Sequence, residues 1–89
     1  MNVDFSALVK MYYTQGLISL GKLNNPITGN LDKSLDQAKL LIDILSIFEK
    51  KTEGNLTDVE RRLLEDSLQN LRLNFVYELD MLFKHDKEN

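Results

Sequence analysis

The residues that could do chemistry are few. The chain has one histidine and no cysteine. His85 stands beside Asp86 near the C-terminal end, without the second ligand one helical turn away that a zinc site on a helix uses. Asp32, Asp36 and Asp43 lack the spacing of a calcium loop. No serine lies in a Gly-x-Ser-x-Gly turn or beside a base that could activate it. The glycines at 16, 21, 29 and 54 form neither a P-loop nor a dinucleotide fingerprint. Glu65 and Asp66 are adjacent, so a helix turns their carboxylates to different parts of its surface. The expectation is a protein that is not an enzyme and has no cofactor and no metal site.

Three weaker constellations remain. Asp43 is an acid set within an apolar helix. It reads as semi-buried and paired with Arg72 across a helical hairpin, a structural salt bridge that fixes register. Tyr12 and Tyr13 could stack on a flat ligand, but their spacing fits helix packing better. Lys50, Lys51, Arg61 and Arg62 gather near one predicted turn. Acids interleave them, so they read as a solvated face rather than an RNA patch. The net charge of −3 and the pI near 5.0 also argue against a nucleic-acid footprint, which is normally basic.

The elements that position these residues are helices. Ser34 to about Glu53 is a run of helix formers, and Ser34-Leu35-Asp36-Gln37 is an N-terminal capping pattern. Lys50 and Lys51 sit in its last turn, where positive charge suits the helix dipole. Gly54 then supplies a residue able to take the left-handed conformation that ends a helix. Thr57 with Glu60 three residues on is a second capping box, reinforced by Asp58. So short a connection makes the two helices antiparallel neighbours. Leu35, Ala38, Leu41, Ile42, Leu45 and Phe48 face one way, with Leu40, Ile44 and Ile47 beside them. A helix this apolar is expected to be central. Lys39 and Asp43 can also pair across one turn.

A first helix over about 4–20 carries Phe5, Leu8, Val9, Tyr12, Tyr13, Gly16, Leu17 and Leu20 at three- and four-residue intervals, with Asp4 as N-cap. Ala7, Met11 and Ile18 form a second stripe, so this helix is expected to be covered on more than one side. Gly16 in mid-helix costs about 1 kcal/mol against Ala, which implies a close helix–helix approach. Gly21 ends the helix. The linker 22–33 contains a turn at Asn25-Pro26-Ile27-Thr28-Gly29. Leu23, Ile27 and Leu31 within it are expected to close one end of the helical layer.

The third helix, about 58–84, has its main stripe at Leu64, Leu68, Leu71, Phe75, Leu79 and Leu82. Its second half adds Leu73, Val76, Tyr77, Met81 and Phe83 around much of the circumference. It is about 39 Å long against about 29 Å for the second helix, so its apolar end overhangs. Exposed apolar area of that kind marks an interaction surface. Residues 85–89 read as a frayed tail.

The fold class expected is all-α: one domain of 89 residues with three helices, the second and third an antiparallel hairpin and the first packed across it. A domain this small buries only about 60–65% of its chain's surface. Its excess apolar circumference therefore points to a homo-oligomer, most simply a two-fold dimer. The expected interface is Met11, Tyr12, Gly16, Ile18, Val76, Tyr77, Met81 and Phe83, and the expected helix caps are Ser34, Gly54, Thr57 and Glu60. No run reaches the roughly 18 apolar residues of a membrane span. No signal peptide is visible, and the lack of cysteine lends no support to an oxidising compartment. Together these make a cytoplasmic protein the expectation.

Several runs occur in a telling order: Phe5-Ser6-Ala7-Leu8-Val9, Leu20-Gly21, Asn25-Pro26-x-Thr28-Gly29, Ala38-Lys39, Ile42-Asp43-x-Leu45 and Glu49-x-Lys51-Thr52-x-Gly54-Asn55-Leu56-Thr57. Glu60, Leu63-Leu64 and Leu71-Arg72 follow. From about Phe5 to Val76 the chain resembles a small bacterial family of uncharacterised proteins, a domain of unknown function whose hallmark reads Lys-Thr-x-Gly-Asn-Leu-Thr. The resemblance implies a bacterial, cytoplasmic helical domain and carries no activity, cofactor or catalytic residue. The function expected is a non-enzymatic helical module acting by protein–protein contact, with itself or with a larger protein. The alternative is small-molecule or nucleic-acid binding in a groove between protomers.

Overall fold

The computed structural model describes the backbone of residues 4–88 and the side chains of residues 4–84. It contains three helices, α1 (Phe5–Ser19), α2 (Leu35–Lys51) and α3 (Asp58–Glu88), each packed against the other two. α3 continues to Glu88, past the end near Lys84 that the pattern implies.

The ends of the helices follow from local chemistry. Asp4 Oδ1 accepts the Ala7 N–H (2.8 Å) and opens α1. At its close, the Gly21 N–H donates to Ile18 O and the Lys22 N–H to Leu17 O, with Gly21 at φ +76°. That pair of bonds is the Schellman arrangement, which satisfies carbonyls that a helix end leaves free. Ser34 Oγ accepts the Gln37 N–H (3.2 Å) and starts α2. Thr57 and Glu60 cap α3 reciprocally. The Thr57 N–H donates to Glu60 Oε1 (2.8 Å), and the Glu60 N–H donates to Thr57 Oγ1 (3.1 Å). Gly54 takes φ +82° in the turn between.

Contacts along the helices fix their directions. Phe5 and Tyr12 of α1 both meet the Phe48 ring, near the C-terminal end of α2. At the other end the Ser34 N–H donates to Ser19 O (2.8 Å). α1 is therefore antiparallel to α2. The Tyr13 hydroxyl donates to Asn70 Oδ1 (2.8 Å), and Lys22 reaches Glu78, so α1 and α3 run in the same direction. The core lies between the three helices: Val9 and Leu20 from α1 and its cap, Ala38, Ile42 and Leu45 from α2, and Leu64, Leu68 and Leu71 from α3.

Gly16 of α1 faces Leu71 of α3 at close range. A Cβ there would lie 2.8 Å from Leu71 Cδ2, and Leu71 is itself fully buried. The close approach inferred from Gly16 is thus made inside the chain. Tyr12 packs edge-on against Phe48, and Ile18 is buried. These three of the eight expected interface residues pack within the chain, because α1 lies against both helices of the hairpin; Ala7 and Met11 of the second stripe are exposed.

The linker differs more from expectation. Ile27 is 92% exposed, and Leu23 and Leu31 are exposed as well; they do not close the helical layer. Part of the loop's backbone is paired within the loop. The Asn25 N–H donates to Asn30 O, the Gly29 N–H to Asn25 O, and the Ile27 N–H to Asn25 Oδ1. These local bonds, with the Lys22 and Lys33 contacts to Glu78, hold the loop while its apolar side chains stay exposed.

The lengths of the helices are unequal. α3 has 31 residues, about 46 Å, and α2 has 17, about 25 Å. The molecule measures 49 × 27 × 16 Å with a radius of gyration of 14.6 Å, against about 12 Å for a compact chain of this length. Its accessible surface of 6538 Å² exceeds the roughly 5,400 Å² expected of a compact monomer of this mass.

Stability should report the Gly16 contact. In Gly16→Ala, the gain of about 1 kcal/mol in helix propensity is offset by a clash that Leu71 can relieve only by moving in a full core. In Gly16→Val the clash wins, and urea unfolding should show a loss of about 2–3 kcal/mol.

Candidate functional site

Charge, burial and exposed apolar surface come together where α3 leaves the bundle. Glu78 is a charged residue on the inward face of α3, in register with Leu64, Leu68, Leu71 and Phe75 at alternating spacings of about three and four residues. It is only 9% exposed. Two ammonium groups meet its carboxylate: Lys33 Nζ donates to Oε1, and Lys22 Nζ donates to Oε2 (3.1 Å). Lys22 also lies 5.3 Å from the centre of the Tyr77 ring, within cation–π range. Hydrogen bonding to Lys33, then to Lys22, holds the Glu78 carboxyl below the usual carboxylate range, against the upward pull of burial. The two lysines bracket the linker, so this one carboxylate ties both ends of the 22–33 loop to α3.

Outside the clamp, α3 presents an apolar face with no cover. Leu73 (64%), Val76 (63%), Tyr77 (56%), Met81 (46%) and Phe83 (60%) are all substantially exposed. At about 100° per residue they fall within an arc of about 160° centred on Leu73. Asp80 and Lys84 lie near the centre of the same arc and pair with each other (3.2 Å). On the opposite side of the helix, Leu82 is 50% exposed, because α1 and α2 have ended below it. Met11, the remaining expected interface residue, is exposed on α1. It lies near the level of Leu68, about 15 Å along α3 from Glu78.

The expected ion pair between Asp43 and Arg72 does not form. Asp43 is exposed and pairs with Lys39 on its own helix (2.8 Å), while Arg72 Nη2 donates to Ser46 Oγ (2.6 Å). The hairpin register is offset by one turn of α2, which places Ser46 rather than Asp43 opposite Arg72. The basic residues at the hairpin end are also engaged. Arg61 pairs with Glu65 and Asp58, which hold its pKa above the ordinary arginine value, Glu65 first. An open concavity of about 510 Å³ lies there, lined by Glu49, Lys50, Glu53, Arg61 and Glu65 among others. Its charges are mixed, and Glu60 already occupies the α3 N-terminus beside it. His85 lies outside the residues whose side chains are described. Among the described residues, no group of three or more His, Cys, Asp or Glu is placed to hold a metal ion. No helix there is long and apolar enough to cross a membrane.

The Glu78 clamp is absent from the sequence-level expectation, which assigned the inward stripe to Leu79. A signal was present: an acid at the position that the 64–68–71–75 spacing selects must find a partner or be excluded from the core.

The family model for a domain of unknown function, DUF1844, matches residues 2–78, and the chain belongs to that family. The match ends at Glu78, so the overhang of α3 lies outside the matched segment. Among curated proteins and among solved structures, no match to the chain was found.

The clamp should make stability pH-dependent. Because the folded pKa of Glu78 lies below the unfolded value of about 4.3, its contribution is complete above that value. It is lost as pH falls through the folded pKa. Glu78→Gln should cost about 1–2 kcal/mol at pH 7. The gap from the native chain in denaturant midpoint should close on acidification below pH ~4. An unchanged gap at low pH would remove the clamp as its cause.

Proposed function

We propose that this chain is a non-enzymatic interaction module whose working surface is the outer face of distal α3, from Leu73 to Lys84. The observation that carries the reading is five large apolar side chains about half or more exposed on one arc of one helix. A surface of that kind is uncommon on a protein with no use for it. The electrostatics support it, since Asp80 and Lys84, the two charges within the arc, neutralise each other. A partner can therefore cover the face without leaving an isolated charge buried. The remaining acids and bases with defined partners, such as Asp43, Arg61, Arg72 and Glu78, are engaged in contacts that hold the fold. The setting proposed is the bacterial cytoplasm, which the family resemblance implies. The docking is by helix packing, with the clamp holding α3 and the linker as one platform.

Recovery of bound protein on the tagged full chain in high salt tests this reading. Val76→Glu with Met81→Glu should abolish recovery of whatever the native chain retains, including untagged copies of itself, while circular dichroism stays helical. An unchanged set of retained proteins would sink the proposal.

A further inference from the structure

We infer that the occupant of the distal α3 face is a second copy of this chain, paired antiparallel about a two-fold axis near residue 78. The inference rests on the reading of that face as the working surface. In this arrangement the overhang of each α3, residues 79–88, lies along residues 68–77 of the other. Leu73 meets the partner subunit's Phe83, and Val76 lies against the partner subunit's Asp80.

The area fits. The exposed parts of Leu73, Val76, Tyr77, Met81 and Phe83 amount to at most roughly 600 Å² per copy, so two copies bring up to about 1,200 Å² before any polar rim, the lower end of the range of stable interfaces. The accessible surface of 6538 Å² exceeds that of a compact monomer of this mass by about 1,100 Å². Part of that excess lies in the linker, where Ile27 is 92% exposed, and part on the outer face of α3. A two-fold pairing covers the outer face of both copies at once.

Charge selects the direction. A parallel pairing would set Asp80 against Asp80 and Lys84 against Lys84 at the same level, and like charges facing each other are unfavourable. The antiparallel pairing moves the two Asp80 residues about 6 Å apart and the two Lys84 residues about 18 Å apart along the helices, and keeps each Asp80–Lys84 pair of 3.2 Å within its own helix. Asp80 and Lys84 then enter the seam as a pair already neutralised within each helix. Lys22, lying over Tyr77, stands at the rim, where an ammonium group can stay solvated.

The chain contains no cysteine, so introduced cysteines report contacts without background. Light scattering on the purified full chain, from about 1 µM to about 1 mM, should show twice the monomer mass of 10.3 kDa. Leu73→Asp with Val76→Asp should raise the dissociation constant by about 100-fold or more while helicity is kept, since both side chains are exposed. An oxidised mixture of Leu73→Cys and Phe83→Cys chains should give the mixed 73–83 disulfide. Disulfides between like positions would overturn the antiparallel register. A dimer that survives the double aspartate variant would overturn the face as the site of pairing. A native chain that stays monomeric throughout would overturn the second copy as occupant. The module reading would then be decided separately, by whether the glutamate variant loses its retained proteins.

Discussion

Fifteen and seventeen residues of helix cannot cover thirty-one. That mismatch is the constraint on which the rest of this structure depends. α1 and α2 bury Leu64, Leu68 and Leu71 completely, and both have ended by the level of Glu78. Beyond that point α3 continues for about 15 Å with Leu82 half exposed on its inner side and Phe83 exposed on its outer side. A small domain has little stability to spare. An apolar helix extended past its own core is therefore either a cost to the fold or a surface made to be covered.

The Glu78 clamp sits at the boundary between the covered and uncovered parts of α3. A carboxylate on the inward stripe would be unfavourable unless paired. Lys22 and Lys33 supply the pairing from the two ends of the linker. The linker is in this way held to α3 at both of its ends. Tyr77, one residue before the clamp, connects it to the outer face through Lys22. The base of the overhang and the linker thus behave as one unit, and loosening the clamp at low pH should loosen both.

Local chemistry was the most legible part of the sequence. Thr57 with Glu60, Ser34, Gly21 and Gly54 act within a few residues of themselves, so their roles do not depend on where other helices lie. The all-α class and the hairpin were legible for the same reason. Register across the hairpin was not: a shift of one turn separates Asp43 from Ser46 as the residue opposite Arg72, and apolar spacing tolerates that shift. The stripe on α3 was ambiguous between Glu78 and Leu79, because both lie near the inward direction and hydrophobicity alone favours the leucine. The exposure of Leu23, Ile27 and Leu31 is not legible from apolar content alone, because the loop is held in part by backbone bonds such as that between Asn25 and Asn30. For Tyr12, Gly16 and Ile18, sequence showed that close packing was needed but not whether the neighbour was the same chain or another.

The central claim is that the α3 overhang is stabilised by contact with another molecule rather than by its own bundle. Hydrogen–deuterium exchange of residues 79–84, measured on the purified chain at low and high concentration, tests it most directly. Local opening sets the exchange rate of a helix that lacks packing. The account predicts fast exchange in dilute solution and strong, concentration-dependent protection as copies pair, with core residues such as Leu68 protected at both concentrations. Protection of the overhang that is already complete in dilute monomer, or exchange that stays fast at every concentration, would contradict it.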